Sequence, residues 1–204
     1  MIKAIIFDLG NVLIYFDWKI AENRLNELQS GTGTIITKFL KENNSIIKML
    51  EKGALDETEF LDIIKSHLNS NIDKHTIAKI FSEIFQENKI LTNLLSKIKK
   101  EYKLFLLSNT NIIHKKYGWG HYEFLKHFDR LFLSYEIGSI KPEKEIFDFV
   151  INSIELKPEE VLYIDDIEDY VKAAKNLGWN ALQFISNEKL LEDLKKFNID
   201  LNLF

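Results

Sequence analysis

The chain has 204 residues and a formal net charge of −4, with 46% hydrophobic residues, 28% charged residues and no cysteine. The apolar fraction is ample for a packed core, which excludes a disordered or collagen-like chain. Without cysteine there is no disulfide framework, thiolate zinc site or cysteine nucleophile, and no 18-residue apolar run offers a membrane span.

The first element is a strand at residues 3–7, ending in Asp8. Its four apolar residues and single lysine do not make a signal peptide, so a soluble, cytoplasmic protein is expected. Asp17 is placed to cap a helix at 18–29, and 29–34 reads as a loop or hinge. Asp56 with Glu59 resembles a capping box opening a helix at 57–68. A helix at 73–86 carries Ile77, Ile80, Phe81, Ile84 and Phe85 on one face.

From residue 90 onward, strands and helices alternate. Helix 90–100 leads to strand 103–108, helix 113–128 to strand 130–134, and helix 143–154 to strand 161–164. A helix at 169–177, stopped by Gly178, precedes strand 181–185, and Asn187 is placed to cap a last helix at 188–197. The strand runs are apolar without clean alternation, as buried parallel strands are. The pattern predicts an α/β fold, a doubly wound parallel sheet. A strand–helix–strand crossover needs only a dozen or so residues. Residues 16–88 therefore read as an all-helical cap inserted after the first strand, with 1–15 and 89–204 forming the α/β core.

Several features carry less. Gly31, Thr32 and Gly33 lack the preceding strand and following lysine of a phosphate loop. Asn43, Asn44 and Ser45 form a glycosylation sequon that is inert without secretion. His114, His121 and His127 lack metal-ligand spacing and read as surface or packing residues. Trp119, flanked by Gly118 and Gly120, is either a loop over a site or an ordinary buried tryptophan. Only Arg24 and Arg130 are arginines, so an anion site must use lysine, backbone N–H groups or a metal. Dispersed lysines and a pI of about 5.8 argue against nucleic acid.

Ligands of open α/β sheets gather beyond the C-terminal strand ends. There the chain places Asp8, then Ser108, Asn109 and Thr110, then Lys141 before Pro142, where it could start a helix, and finally Asp165 and Asp166 with Asp169 close behind. Clustered carboxylates repel by several kcal/mol unless a cation joins them. Oxygen ligands alone select a hard ion, and Mg²⁺ fits best. A metal, a lysine and a hydroxyl suit phosphoryl oxygens, and one carboxylate left free would be a nucleophile.

These residues, in this order, resemble the haloacid dehalogenase superfamily of aspartate-nucleophile phosphotransferases, across essentially the whole chain. Residues 7–13 look like its first motif, 107–110 its second, 140–142 its third and 163–169 its fourth. The resemblance implies Asp8 as nucleophile, forming an aspartyl-phosphate. It implies a Mg²⁺ ion held by Asp8, the Gly10 carbonyl and a fourth-motif carboxylate, with Asp166 the first choice. Asp165 and Asp169 would bind metal waters or orient Lys141. Ser108, helped by the Asn109 amide, would hold a phosphoryl oxygen, and Lys141 would offset the charge of nucleophile and phosphate.

The chain departs from the family at Gly10, where phosphatases usually carry a second aspartate as general acid and base. The expected activity is a Mg²⁺-dependent phosphomonoester hydrolase acting on a small phosphorylated metabolite such as a sugar phosphate. An anomeric sugar phosphate, with its better leaving group, depends least on the missing acid, and the string from Asp8 to Val12 is similar to a subgroup with sugar-1-phosphate phosphatases. Three other readings stand beside it: a non-catalytic phosphate-binding protein, a 2-haloacid dehalogenase and a phosphotransferase. The expected partner is the metabolite alone, without nucleic acid or membrane, for a monomer or small homo-oligomer. The cap is expected to close over the site and choose the substrate.

Overall fold

A computed structural model describes residues 1–68 and 70–199. Five strands form one parallel sheet. They are β1 (Ala4–Phe7), β4 (Lys103–Ser108), β5 (Arg130–Leu133), β6 (Val161–Asp165) and β7 (Asn180–Gln183), in the order β5-β4-β1-β6-β7. β1 is central, pairing Phe7 with Leu106 on one side and with Ile164 on the other. This is the α/β, doubly wound architecture that the alternation predicts.

The uniform hydrophobicity of the strands has a direct cause: successive side chains enter opposite cores. Ile5, Phe7, Leu104, Leu106, Leu162 and Ile164 point to one face. There they meet α6 (Lys89–Ile98), through Leu91, Leu95 and Ile98, and α11 (Asn187–Lys195), through Leu190 and Leu194. Ala4, Ile6, Phe105, Leu107, Val161 and Tyr163 point to the other face. They meet α9 (Lys144–Ile154), through Ile146, Phe147 and Val150, and α10 (Glu168–Asn176), through Val171 and Ala174.

Between β1 and α6 the chain forms five helices: α1 (Trp18–Leu28), α2 (Thr32–Glu42), α3 (Asn44–Glu51), α4 (Glu57–Ser66) and α5 (Lys74–Ser82). They share a third core built from Leu25, Ile36, Leu50, Phe60, Ile64, Ile77 and Phe81. Asp17 caps α1 by accepting from the Lys19 amide, and Asp56 with Glu59 forms the capping box of α4. None of the described helices is long and apolar enough to cross a membrane.

The local expectations differ from the structure in five places. Residues 32–34 are helical, because Gly33 lets α2 cross α1 closely; a Cβ there would stand 2.0 Å from the Glu22 carbonyl oxygen. The helix expected over 73–86 stops at Ser82. Beyond it β3 (Phe85–Glu87) pairs antiparallel with β2 (Ile14–Phe16), a ribbon at the neck of the helical segment. The helix expected over 113–128 breaks after α7 (Ile112–Tyr117), because Gly118 sits against the Ser82 carbonyl and two short 3-10 turns follow. Ser186, not Asn187, caps α11, accepting from the Lys189 amide. Lys141 precedes α9 rather than starting it.

Candidate active site

Asp8 follows directly on β1, and its amide donates to the Ile164 carbonyl at 2.8 Å, so the sheet itself fixes its backbone. Far from β1 in sequence but adjacent to it in the sheet, β6 ends in Asp165, with Asp166 next. One carboxylate oxygen from each of Asp8, Asp165 and Asp166 lies within 4.8 Å of the others. Three acids this close need positive charge.

Lys141 supplies part of it. The side chain is 2% exposed, and its ammonium donates to Asp8 Oδ1 at 2.7 Å, to Asp165 Oδ2 at 2.6 Å and to the Leu107 carbonyl at 3.2 Å. All three protons have acceptors. Asn109 holds the backbone at this point: its Oδ1 accepts from the Lys141 amide at 2.8 Å, and its Nδ2 donates to the Lys141 carbonyl at 3.0 Å. The Asn109 side chain therefore serves Lys141. Its neighbour Ser108 is buried, its hydroxyl making a long contact of 3.4 Å with the Asn109 carbonyl.

Asp165 is fully buried and satisfied. Its Oδ2 accepts from Lys141 and from the Tyr163 hydroxyl, and its Oδ1 accepts from the Ile167 amide at 2.8 Å. Asp166 is half-buried and accepts from Asn11 Nδ2 at 3.2 Å. Asp169 lies exposed in the first turn of α10, outside the group of three.

The electrostatics follow from burial. Burial pushes the Asp8 carboxyl up to about 7; Lys141 opposes this, while Asp165 and Asp166 add to it. Burial alone would lower Lys141, but Asp165 and Asp8 outweigh it and hold the ammonium above its ordinary value. Burial also raises Asp166, with Asn11 opposing and Asp165 adding. Three carboxylates facing one ammonium leave room for a divalent cation. The donors are oxygen only, and the set fits Mg²⁺.

Tyr163 and Asn11 escaped the sequence reading. Tyr163 could have been found by strand alternation, since it shares a sheet face with Asp165 two residues on. Asn11 stands at φ 52, in a turn where its own amide donates to the Ile14 carbonyl at 2.7 Å. The histidines behave as packing residues where the structure is decisive: His114 is buried against Phe81, and burial lowers it to about 3, leaving a neutral ring. Trp119 is buried, its indole donating to Thr110 Oγ1 at 3.3 Å.

The chain is similar to several known proteins over most of its length. Residues 2–178 match the family model of haloacid dehalogenase-like hydrolases. A D-ribitol-5-phosphate phosphatase of Bacteroides thetaiotaomicron is 31% identical over 195 residues, covering 90% of this chain and 92% of the relative. A phosphorylated carbohydrates phosphatase of Thermotoga maritima is 29% identical over 184 residues, covering 86% and 82%. Among solved structures, a HAD family enzyme from Bacteroides thetaiotaomicron, in complex with magnesium and inorganic phosphate, superposes with a TM-score of 0.81. It is 30% identical and covers 93% of this chain and 99% of its own.

Proposed function

The chain belongs to the haloacid dehalogenase-like hydrolases, and from that premise we propose that it is a Mg²⁺-dependent phosphomonoester hydrolase that works through an aspartyl-phosphate on Asp8. The observation that carries this reading is the buried Lys141 ammonium bridging Asp8 and Asp165 beside the less committed Asp166. Lys141 occupies Asp8 Oδ1, which leaves Oδ2 as the atom to attack phosphorus.

Asp8, Asp166 and the Gly10 carbonyl would hold the metal. Asp166 is favoured over Asp165, because both Asp165 oxygens already accept hydrogen bonds. The bound Mg²⁺ supplies positive charge to the phosphoryl oxygens. Ser108 donates its hydroxyl to one of those oxygens, and Lys141 favours the ionised form of Asp8 against the burial that raises it. Asp165 acts through Lys141, fixing the ammonium between the two carboxylates. Residues 16–88 form the cap over this site, with 1–15 and 89–204 as the core.

A small phosphorylated sugar or polyol is the substrate class that the names of the two phosphatase relatives support. A dehalogenase needs an arginine for halide and carboxylate; Arg24, the arginine of this segment, pairs with Glu83 at the surface. Phosphate release from an aryl phosphate, sugar phosphates and a polyol phosphate tests the proposal. Release should require Mg²⁺, vanish with chelator, and fall at least about 10⁴-fold in Asp8→Asn, as removing an essential nucleophile does. A folded protein that releases no phosphate with Mg²⁺ present overturns it.

A further inference from the structure

The phosphate ester of an alcohol breaks poorly if the oxygen must leave as an alkoxide, and a positioned acid is worth about 10²–10⁴ in rate. Position 10 has no side chain to give. A Cβ there would stand 3.2 Å from Phe16 Cε1 and 4.0 Å from Asp8 Oδ2, so an aromatic ring already fills the direction a longer side chain would take. The groups around Asp8 are committed as well. Lys141 has placed its three protons, Asp165 accepts on both oxygens, and His114 is neutral and packed among aromatic rings.

Glu51 is different. It ends α3, where the helical segment turns back onto the core. The turn is pinned by two contacts. Lys52 pairs with Glu143, two residues beyond Lys141, at 2.6 Å. Gly53 takes φ +66 and lies so close to the core that a Cβ would stand 2.3 Å from the Tyr135 carbonyl oxygen. Glu51 lines a cavity of about 350 Å³ with Trp18, Phe60, Phe81, Asn111 and His114. Among the described residues its carboxyl has no hydrogen-bond or ion-pair partner. Lys141 and Lys48 both oppose the rise that burial gives its carboxyl. The two contacts of its turn therefore set Glu51 against the part of the core that carries Lys141, at the edge of the cavity.

We propose that Glu51 is the proton donor to the leaving oxygen of an alkyl phosphate whose organic part occupies this cavity, an assignment that rests on the hydrolase reading above. In the first half-reaction the Asp8 Oδ2–phosphorus bond forms and the bond from phosphorus to the alcohol oxygen breaks. The Glu51 proton passes to that oxygen, which leaves as the neutral alcohol. In the second, Glu51 as carboxylate takes a proton from water. The water oxygen bonds to phosphorus, the Asp8–phosphorus bond breaks, and phosphate leaves with Asp8 and Glu51 restored. Burial raises Glu51 to about 7, opposed by Lys141 and Lys48, so a protonated fraction is present at neutral pH.

The test compares kcat/KM for two substrates, a nitrophenyl phosphate and a primary polyol phosphate, in the wild type, Glu51→Gln, Glu51→Asp and Asp8→Asn. Glu51→Gln should lose about 100-fold more on the polyol phosphate than on the aryl phosphate, because only the alkoxide needs the proton. Glu51→Asp, which keeps an acid, should recover part of that ratio. An equal loss on both substrates, or no loss on the polyol phosphate, overturns the assignment and leaves the hydrolase standing. If Asp8→Asn releases phosphate as fast as the wild type, the hydrolase reading falls and this one with it.

Discussion

Lys141, a cation, and Glu51, an acid, lie where core and helical segment meet, yet they are held in opposite ways. Lys141 is 2% exposed and gives each ammonium proton an acceptor. Glu51 is half-buried, and among the described residues its carboxyl has no such partner. The core side is a buried polar network that holds Lys141 and Asp165 rigidly, because each ammonium proton and both Asp165 oxygens are matched. The side of the helical segment is a largely apolar cavity, with Glu51 and Glu22 among its lining residues. A nucleophile must stay ionised and in place, whereas a proton donor must stay free to lose and regain its proton. The two environments suit those two tasks.

The largest expected effect breaks the core side. Lys141→Met leaves Asp8 and Asp165 buried without their ammonium, and removing one partner of a buried pair typically costs about 3–5 kcal/mol. Urea unfolding should show that loss, with partial recovery on adding Mg²⁺, and no phosphate should be released. A variant as stable as the wild type would mean that the carboxylates do not depend on Lys141.

Gly53→Ala attacks the turn that presents Glu51. A left-handed alanine costs about 1–2 kcal/mol, and its Cβ would press on the Tyr135 carbonyl. Thermal melting should fall accordingly, and polyol phosphate turnover should drop further than aryl phosphate turnover. Equal drops would separate the turn from substrate selection.

A smaller effect sharpens the contrast through pH. The folded Glu51 binds its proton more tightly than the unfolded chain, with a value near 7 against the ordinary 4.5. The stability it contributes is therefore present below pH 4.5 and lost as pH rises through 7. Glu51→Gln should match the wild type in Tm at pH 4.5 and exceed it at pH 8, by on the order of 1 kcal/mol or a few degrees. A Tm difference independent of pH would show that Glu51 is not buried as described.

The smallest effect is at the surface. Lys52→Met removes a partly exposed pair with Glu143, worth about 0.2–1 kcal/mol. Stability should hardly change, while the polyol-to-aryl ratio should fall a few-fold if this pair helps to aim Glu51. Kinetics on both substrates beside a thermal melt would check it.

The two regions also differ in how far they could be read beforehand. The sheet strands, both helix caps at Asp17 and Asp56, and the meeting of Asp8, Lys141, Asp165 and Asp166 were legible, because strand ends in a parallel sheet converge. The neck ribbon of β2 and β3 was not, since three-residue strands lie below any periodic signal. Nor were the end of α5 at Ser82, the break at Gly118, or the outward turn of Asp169.

By itself the sequence determined the α/β core, the helical insertion and the acids and lysine of the core site. Each of these follows from local pattern: apolar runs of strand length, capping residues, and polar residues just past strand ends. Only the tertiary structure decided that Asn109 clamps Lys141, that Asp165 is saturated while Asp166 is not, and that Glu51 stands over the pocket. Those facts depend on how five helices pack and where a glycine turn meets the core, and no local spacing encodes contacts between segments so far apart along the chain.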